Sequence, residues 1–355
     1  MKRLLHILIV CFILTPLLAG CWDNKDINQR IMPVSIGIKR DGEDYQAFLR
    51  IPTPSIGNKS KIVIGEGKTI NSLIDTLGAN LESNVDLFHV KVITIDEELA
   101  TTGIQDLISG FMRSREISSK AILLITQGDM EEFFQKSANK ESKEGILLLD
   151  YFGQTTGWNP HIALTRVWEL YRNFHSYTQD IAIPIVSAGD STIVKQEGSA
   201  IFNKDRMVGT ITSNETLLYN AFKGLSARGN IEVLNHASTM IMRSKIRNNT
   251  SLVHNIPYIQ TTIKLEIIIL ETKGNTTEKQ IQEELKKLLT ERYNNLISEM
   301  QKNQADILGI GQYFRGKLPE KELKNWRKDY LPKLKYDINF KIEIQNFGNL
   351  KLSKE

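Results

Sequence analysis

The run Ile62-Val63-Ile64-Gly65-Glu66-Gly67-Lys68-Thr69 carries the strongest chemical signal in the chain. An apolar stretch leads into Gly-Lys-Thr and then into a helical pattern, the order in which a phosphate-binding loop is built. In such a loop consecutive backbone N–H groups cradle the phosphates, the lysine reaches the outer ones and the threonine hydroxyl meets Mg2+. Asp96 and Asp150, each after an apolar run, are the aspartates that would complete the metal site. The loop also needs a glycine five residues before Gly67, and that position is Ile62. Strand residues 62–64 fill the length the cradle requires. A tight turn with Thr69 as helix N-cap accounts for the residues without any nucleotide.

The remaining candidates are weaker. His89 and Lys91 would share one face of a strand at 87–95, as a proton-transfer pair or as plain polar residues on an exposed face. His161, His175, His236 and His254 are scattered without metal-ligand spacing, and neither His-Glu-x-x-His nor Gly-x-Ser-x-Gly occurs. Arg113, Arg115 and Glu116 follow an apolar helical pattern and read as a solvated helix end or a partner contact. The residues therefore predict no catalytic site, no cofactor and no metal.

One residue does carry chemistry. Lys2 and Arg3 precede an unbroken apolar run at 7–14, and the segment ends Leu18-Ala19-Gly20-Cys21. This is the three-part layout of an export signal, too short in its strictly apolar part to span a bilayer. Leu-Ala-Gly-Cys is the lipobox pattern, which predicts removal of residues 1–20 and lipid on the thiol of Cys21. Cys11 would leave with the signal, so no disulfide or cysteine metal site is expected. The formal net charge of +4 is small and interspersed, and no basic run carries interleaved aromatics, so nothing points to nucleic acid.

The elements alternate in kind along the chain. Apolar stretches at 31–38 and 45–51 read as strands, with a turn-rich segment after them. From 62 to 134 strand and helix patterns alternate, with Asp96 and Asp129 as helix N-caps, which argues for an α/β layer with some parallel pairing. Helices are expected at 145–152 and 162–174, a hairpin at 193–212, and a helix capped by Asn214. Strands at 239–247 and 259–270, joined by a loop holding Pro257, precede a long helix from Thr277 whose capping-box partner is Gln280. A second helix is expected at 320–330. Tyr336, Ile338, Phe340, Ile342 and Ile344 alternate with polar residues, which predicts an antiparallel strand with one face buried. The expected fold is a mixed α/β and α+β multidomain chain. It comprises an N-terminal α/β domain at 21–190, a small hairpin-containing domain at 191–235 (with strands from 30–65 as its possible companions), and a C-terminal antiparallel sheet packed with helices at 236–355.

Cys21-Trp22-Asp23 after the lipobox, then Ile27-Asn28, resembles the mature start of the GerC, or Ger(x)C, spore-germination proteins. The resemblance continues through Gly65 to Thr69, Phe88-His89-Val90-Lys91, Arg113 to Ile117, Asp306-Ile-Leu-Gly309-Ile-Gly311-Gln-Tyr-Phe314, and Trp326. It implies the lipoprotein subunit of a nutrient germinant receptor in the inner membrane of endospores. Its implied partners are a membrane-embedded A-type subunit and a transporter-like B-type subunit, and no catalytic residues come with it. It also implies three domains and makes the Gly-Glu-Gly-Lys-Thr segment part of the family's own pattern. Two alternatives compete. A solute-binding lipoprotein would need two similar α/β lobes, and an NTPase would need the glycine missing at Ile62.

Overall fold

A computed structural model describes residues 30–52, 60–81, 84–114, 117–140, 159–190, 194–225 and 231–345, with Arg3, Phe152 and Thr192 besides. The rest of the expected export signal, Cys21, and all of the expected helix at 145–152 but Phe152 lie outside the described residues.

β1 (Arg30–Ile31) and β5 (Asn84–Val85) form a small parallel pair. The main sheet uses β2 (Ser35–Asp41), β3 (Asp44–Ile51), β4 (Lys61–Gly67), β6 (Val92–Asp96), β7 (Ile122–Thr126), β8 (Ile181–Ala188), β9 (Val194–Asn203) and β10 (Arg206–Ile211). Their order is β10-β9-β8-β7-β6-β2-β3-β4. The four central strands β8, β7, β6 and β2 run parallel, as alternating strand and helix patterns require. Antiparallel strands extend both sides.

All five residues of β7 are buried, because helices cover both faces. On one face α1 (Ile70–Asn80), α2 (Glu97–Thr102) and α3 (Gln105–Ser114) press Leu73, Leu99, Leu107 and Phe111 against Ile93, Ile95, Leu123 and Ile125. On the other, α4 (Met130–Lys140) sets Met130, Phe133 and Phe134 on Phe48, Val92 and Leu124. The caps fall where the acidic residues predict: Asp96 accepts from the Glu98 N–H at 3.0 Å, and Asp129 from that of Glu132 at 2.6 Å. The expected helix at 162–174 is the shorter α5 (Val167–Phe174).

The hairpin expected in a middle domain at 191–235 is instead part of this sheet. β9 pairs with β8 from Ile181↔Phe202 to Ala188↔Val194. Of the strands from 30–65, β2, β3 and β4 join the same sheet, whereas β1 pairs with β5. A hairpin pattern reveals two strands but not the edge they cover, and buried, apolar β8 supplies that edge. The next helix, α6 (Ser213–Phe222), is capped by Thr212 rather than Asn214. The Thr212 hydroxyl accepts from the Glu215 N–H at 3.2 Å, and the Glu215 carboxylate accepts from the Thr212 N–H at 2.8 Å.

A second sheet has the order β11 (Ile231–Val233), β12 (Ala237–Val253), β13 (Ile256–Thr272) and β14 (Lys335–Ile344). β12 and β13 are longer than the pattern predicts and meet in the two-residue turn His254-Asn255. Both turn residues have positive φ (50° and 64°), as a tight hairpin needs. Pro257 is therefore in a strand, opposite Leu252. α7 (Glu278–Lys302) starts at the predicted box of Thr277 and Gln280 and lays Ile281, Leu285, Leu289, Tyr293 and Leu296 on the sheet.

The closing strand differs from expectation in direction. β14 runs parallel to β13, from Tyr258↔Lys335 to Ile267↔Ile344. Its alternation does place Phe340 in the core and the odd-numbered residues outside. Period two fixes the buried face, whereas the crossover through α7 fixes direction. The expected helix at 320–330 is a single turn, α8 (Glu320–Leu323), followed by a wide π turn at Trp326–Tyr330. That turn brings Trp326, Arg327 and Tyr330 inward together.

Candidate functional site

The Gly-Glu-Gly-Lys-Thr segment is a packing device. Both glycines belong to β4 and pair with β3, Gly65 opposite Ala47 and Gly67 opposite Tyr45. A Cβ at Gly65 would lie 2.5 Å from the Leu77 side chain, and one at Gly67 would lie 2.6 Å from the Leu73 backbone nitrogen. Glycine thus lets α1 lie directly across the strand. Thr69 is the predicted cap, accepting from the Ser72 N–H at 3.2 Å, and Lys68 is exposed. A strand held in a ladder does not offer the run of free N–H groups that a phosphate cradle needs.

The other candidates lie apart. Residues 87–89 form a 3-10 turn and the strand begins only at Val92, so His89 and Lys91 do not share a strand face. His161 Nδ1 is 2.9 Å from the Ser213 carbonyl, and His175 stands edge-on to Tyr171. His236 pairs with Glu284, and His254 is in the hairpin turn. No group of three metal-ligating side chains occurs among the described residues. Arg113 is exposed at the end of α3. Arg115, Glu116 and Asp150 lie outside the described residues, as does Cys21.

What the chain does bring together is a buried polar cluster between the two sheets. The peptide of Asp180 donates to the Asp306 carbonyl at 2.7 Å, and the Asp306 N–H donates back to Asp180 Oδ2 at 2.8 Å. The Arg327 guanidinium grips Asp180 with a two-pronged fork, Nε to Oδ2 at 2.8 Å and a terminal nitrogen to Oδ1 at 2.9 Å. The same terminal nitrogen also reaches the Ser176 and Gln179 carbonyls. The Asp306 carboxylate accepts from the N–H groups of Ile310 and Gly311 at 2.8 and 2.6 Å and from Trp326 Nε1 at 2.8 Å. Trp326 lies between Phe314 and Tyr330. Gly311 admits it, since a Cβ there would lie 2.7 Å from the indole. Gly309 turns the chain with φ +66°.

Both carboxylates are fully buried. Burial pushes the Asp306 carboxyl up to about 7, with Asp180 adding in the same direction, against the opposing pull of its three donors. Each oxygen already accepts at least one donor that holds the chain, so the cluster fastens two bodies. Asp306, Gly309, Gly311 and Trp326 were legible as a motif. Asp180 and Arg327 were not, because they stand 147 positions apart.

Beside this junction runs an open groove. One stretch, about 810 Å³, is lined by Phe222, Leu225, Met242, Ile246, Asn248 and Tyr313. A second of about 510 Å³ continues past Phe222 and Tyr313 to Arg172, Gln179 and Gly309. α6 and the 3-10 turn at Ile310–Phe314 form its walls.

The chain matches two known sequence modules, whose boundary falls inside the first sheet, between β8 and most of β9. Residues 23–188 match the spore germination protein N-terminal domain, and residues 197–348 match the spore germination B3/GerAC-like C-terminal domain. Spore germination protein KC of Bacillus subtilis is 21% identical, over 98% of this chain and 96% of its own. Spore germination protein B3 of the same organism is 23% identical, over 96% and 97%. The crystal structure of the GerBC protein has the same fold, with TM-score 0.58 at 15% identity, covering 88% of this chain and 97% of that one. With both modules present in order and relatives matched nearly end to end, the chain belongs to the GerC family of spore-germination proteins.

Proposed function

We propose that this chain is the lipid-anchored, non-catalytic subunit of a nutrient germinant receptor. It is held by acyl chains on Cys21 at the outer leaflet of the inner spore membrane and assembled with two integral-membrane subunits, one A-type and one transporter-like B-type. The observation that carries this reading is the match of both halves, in order, to spore-germination modules directly behind a Leu-Ala-Gly-Cys lipobox. The buried junction supports a non-catalytic role, because its carboxylates are engaged in holding the chain. Two acyl chains hold a protein at a bilayer where one would not, since each buried methylene contributes about 0.8 kcal/mol.

The test pairs labelling with co-purification. Cells carrying the wild-type chain should incorporate radiolabelled palmitate into it, and detergent extracts of their spores should yield two polytopic proteins with it. Cys21→Ala should lose the label and nutrient-triggered germination while the chain still accumulates. Normal labelling of Cys21→Ala would refute the anchor. A wild-type chain made at normal levels that never cross-links to polytopic proteins would refute the receptor assignment.

A further inference from the structure

The outer face of the second sheet carries a charge pattern that its fold does not require. α7 lies on the inner face, where Tyr293 meets Thr261 and Tyr336. The outer face takes alternate residues of β12, β13 and β14, and the register sets them in rows. One row is Lys245↔Lys264↔Lys341, three lysines side by side across three strands. Like charges directly opposite one another, with Cβ atoms about 5 Å apart, oppose sheet formation. Arg243 and Arg247 flank Lys245 on β12, and Lys335 stands at the start of β14; all six cations are exposed. Three carboxylates share the face. Glu343 pairs with Lys264 at 2.8 Å, Glu266 pairs with Arg243 at 3.6 Å, and Asp337 accepts from the Tyr258 hydroxyl. Lys245, Arg247 and Lys341 have no ion pair among the described residues.

We propose that this sheet face docks on an anionic lipid surface. The inference rests on the Cys21 anchor for bringing a bilayer within reach. The nine residues from Cys21 to Arg30 can extend at most about 30 Å, so the folded part stays close to the membrane. Charge complementarity and the lack of an apolar anchor select lipid over protein. Stable protein interfaces centre on buried aromatic or aliphatic anchors. Among the large exposed hydrophobic side chains of the described residues, only Val253, beside the hairpin tip, and Val233, on β11 opposite Ser238, belong to this face, and they stand at opposite ends of β12 with the basic rows between them. A flat array of exposed cations without an anchor suits phospholipid headgroups, which attract each nearby lysine or arginine within a Debye length.

The experiment uses residues 22–355, which hold both sheets and every helix packed on them, so the face is read without the anchor. In about 0.1 M salt the protein should sediment with phosphatidylcholine vesicles containing about one-third phosphatidylglycerol and stay in solution with pure phosphatidylcholine. Salt near 1 M should release it. The set Lys245→Glu, Lys264→Glu and Lys341→Glu should weaken binding by about tenfold or more. Should that set misfold, Lys→Gln at the same three positions should weaken it in the same direction. A charge-matched set on exposed positions of α7, Lys279→Glu, Lys286→Glu and Lys287→Glu, should retain binding. Equal behaviour on both vesicle types overturns the proposal, as does equal loss in the α7 set. So does capture of an acidic protein by a chain that ignores anionic vesicles. Failed palmitate labelling, by contrast, would overturn the anchor and leave this vesicle result standing.

Discussion

At the residue scale the junction is a pair of carboxylates with divided work. Asp180 is paid its desolvation by the Arg327 fork, whereas Asp306 is held by neutral donors alone. Removing one partner of such a buried pair strands the other, at a cost of about 3–5 kcal/mol. Arg327→Ala should therefore begin to unfold at far lower urea than Arg172→Ala, whose guanidinium lies exposed over Trp168; equal onsets would contradict the fork. Asp306 gives a pH dependence of definite sign. Its folded pKa of about 7 lies above the ordinary 3.8, so between those values the folded state keeps a proton that the unfolded chain releases. The stabilising contribution is complete below about pH 4 and is lost as pH rises through 7. Urea midpoints should fall from pH 5 to pH 7.5, and Asp306→Asn, which does not titrate, should flatten that fall. The motif around Asp306 was readable through the family resemblance, which covers Asp306 to Phe314 and Trp326. Arg327 looked like any helical surface arginine until the π turn brought it inward.

At the element scale, what the sequence made legible was periodicity and capping. Thr69, Asp96, Asp129 and Thr277 cap helices where their spacing predicts, and the alternation of β14 predicts its buried face. Edge choice and strand direction stayed hidden, as with β9 beside β8 and β14 beside β13, because they depend on long-range pairing rather than local pattern. The glycines of β4 show how a motif can mislead. Their types match a phosphate loop, yet the contact that selects them is a helix crossing overhead. At Gly67 the obstacle is Leu73 backbone, which cannot swing aside as a side chain can. Gly67→Ala should cost about 1–3 kcal/mol through overpacking. Lys68→Ala should stay within about 0.5 kcal/mol, as exposed positions do. Calorimetry on residues 22–355 should find no saturable ATP or GTP binding. Micromolar affinity that vanishes in Lys68→Ala would revive the phosphate loop.

At the scale of the whole molecule, the two modules share one interior. The largest hydrophobic cluster gathers α7 and the second sheet together with Ala163, Ala182, Ile201 and Ile211 from the first body. Tyr219 of α6 donates nothing to solvent here; its hydroxyl accepts from the Ala182 N–H of β8 at 3.2 Å. Asn203 reaches the Gln304 carbonyl at 2.9 Å on the far side of the same seam. Apolar packing, the Arg327 fork and these bridges all cross from residues before 212 to residues after 212, so opening either body exposes surface of the other. Such shared burial makes unfolding cooperative even in a chain of two modules. The wild-type chain should unfold in urea as one transition, with tryptophan fluorescence and far-UV circular dichroism coincident. Arg327→Ala removes the fork while leaving each body's own core, so it should split the curve into two steps. Native-state hydrogen exchange locates the split: amides of β7 and β13 should open with equal free energy in the wild type and unequal free energy in the variant. Two separated transitions in the wild type would mean that the bodies are stable independently and that the seam is only a contact.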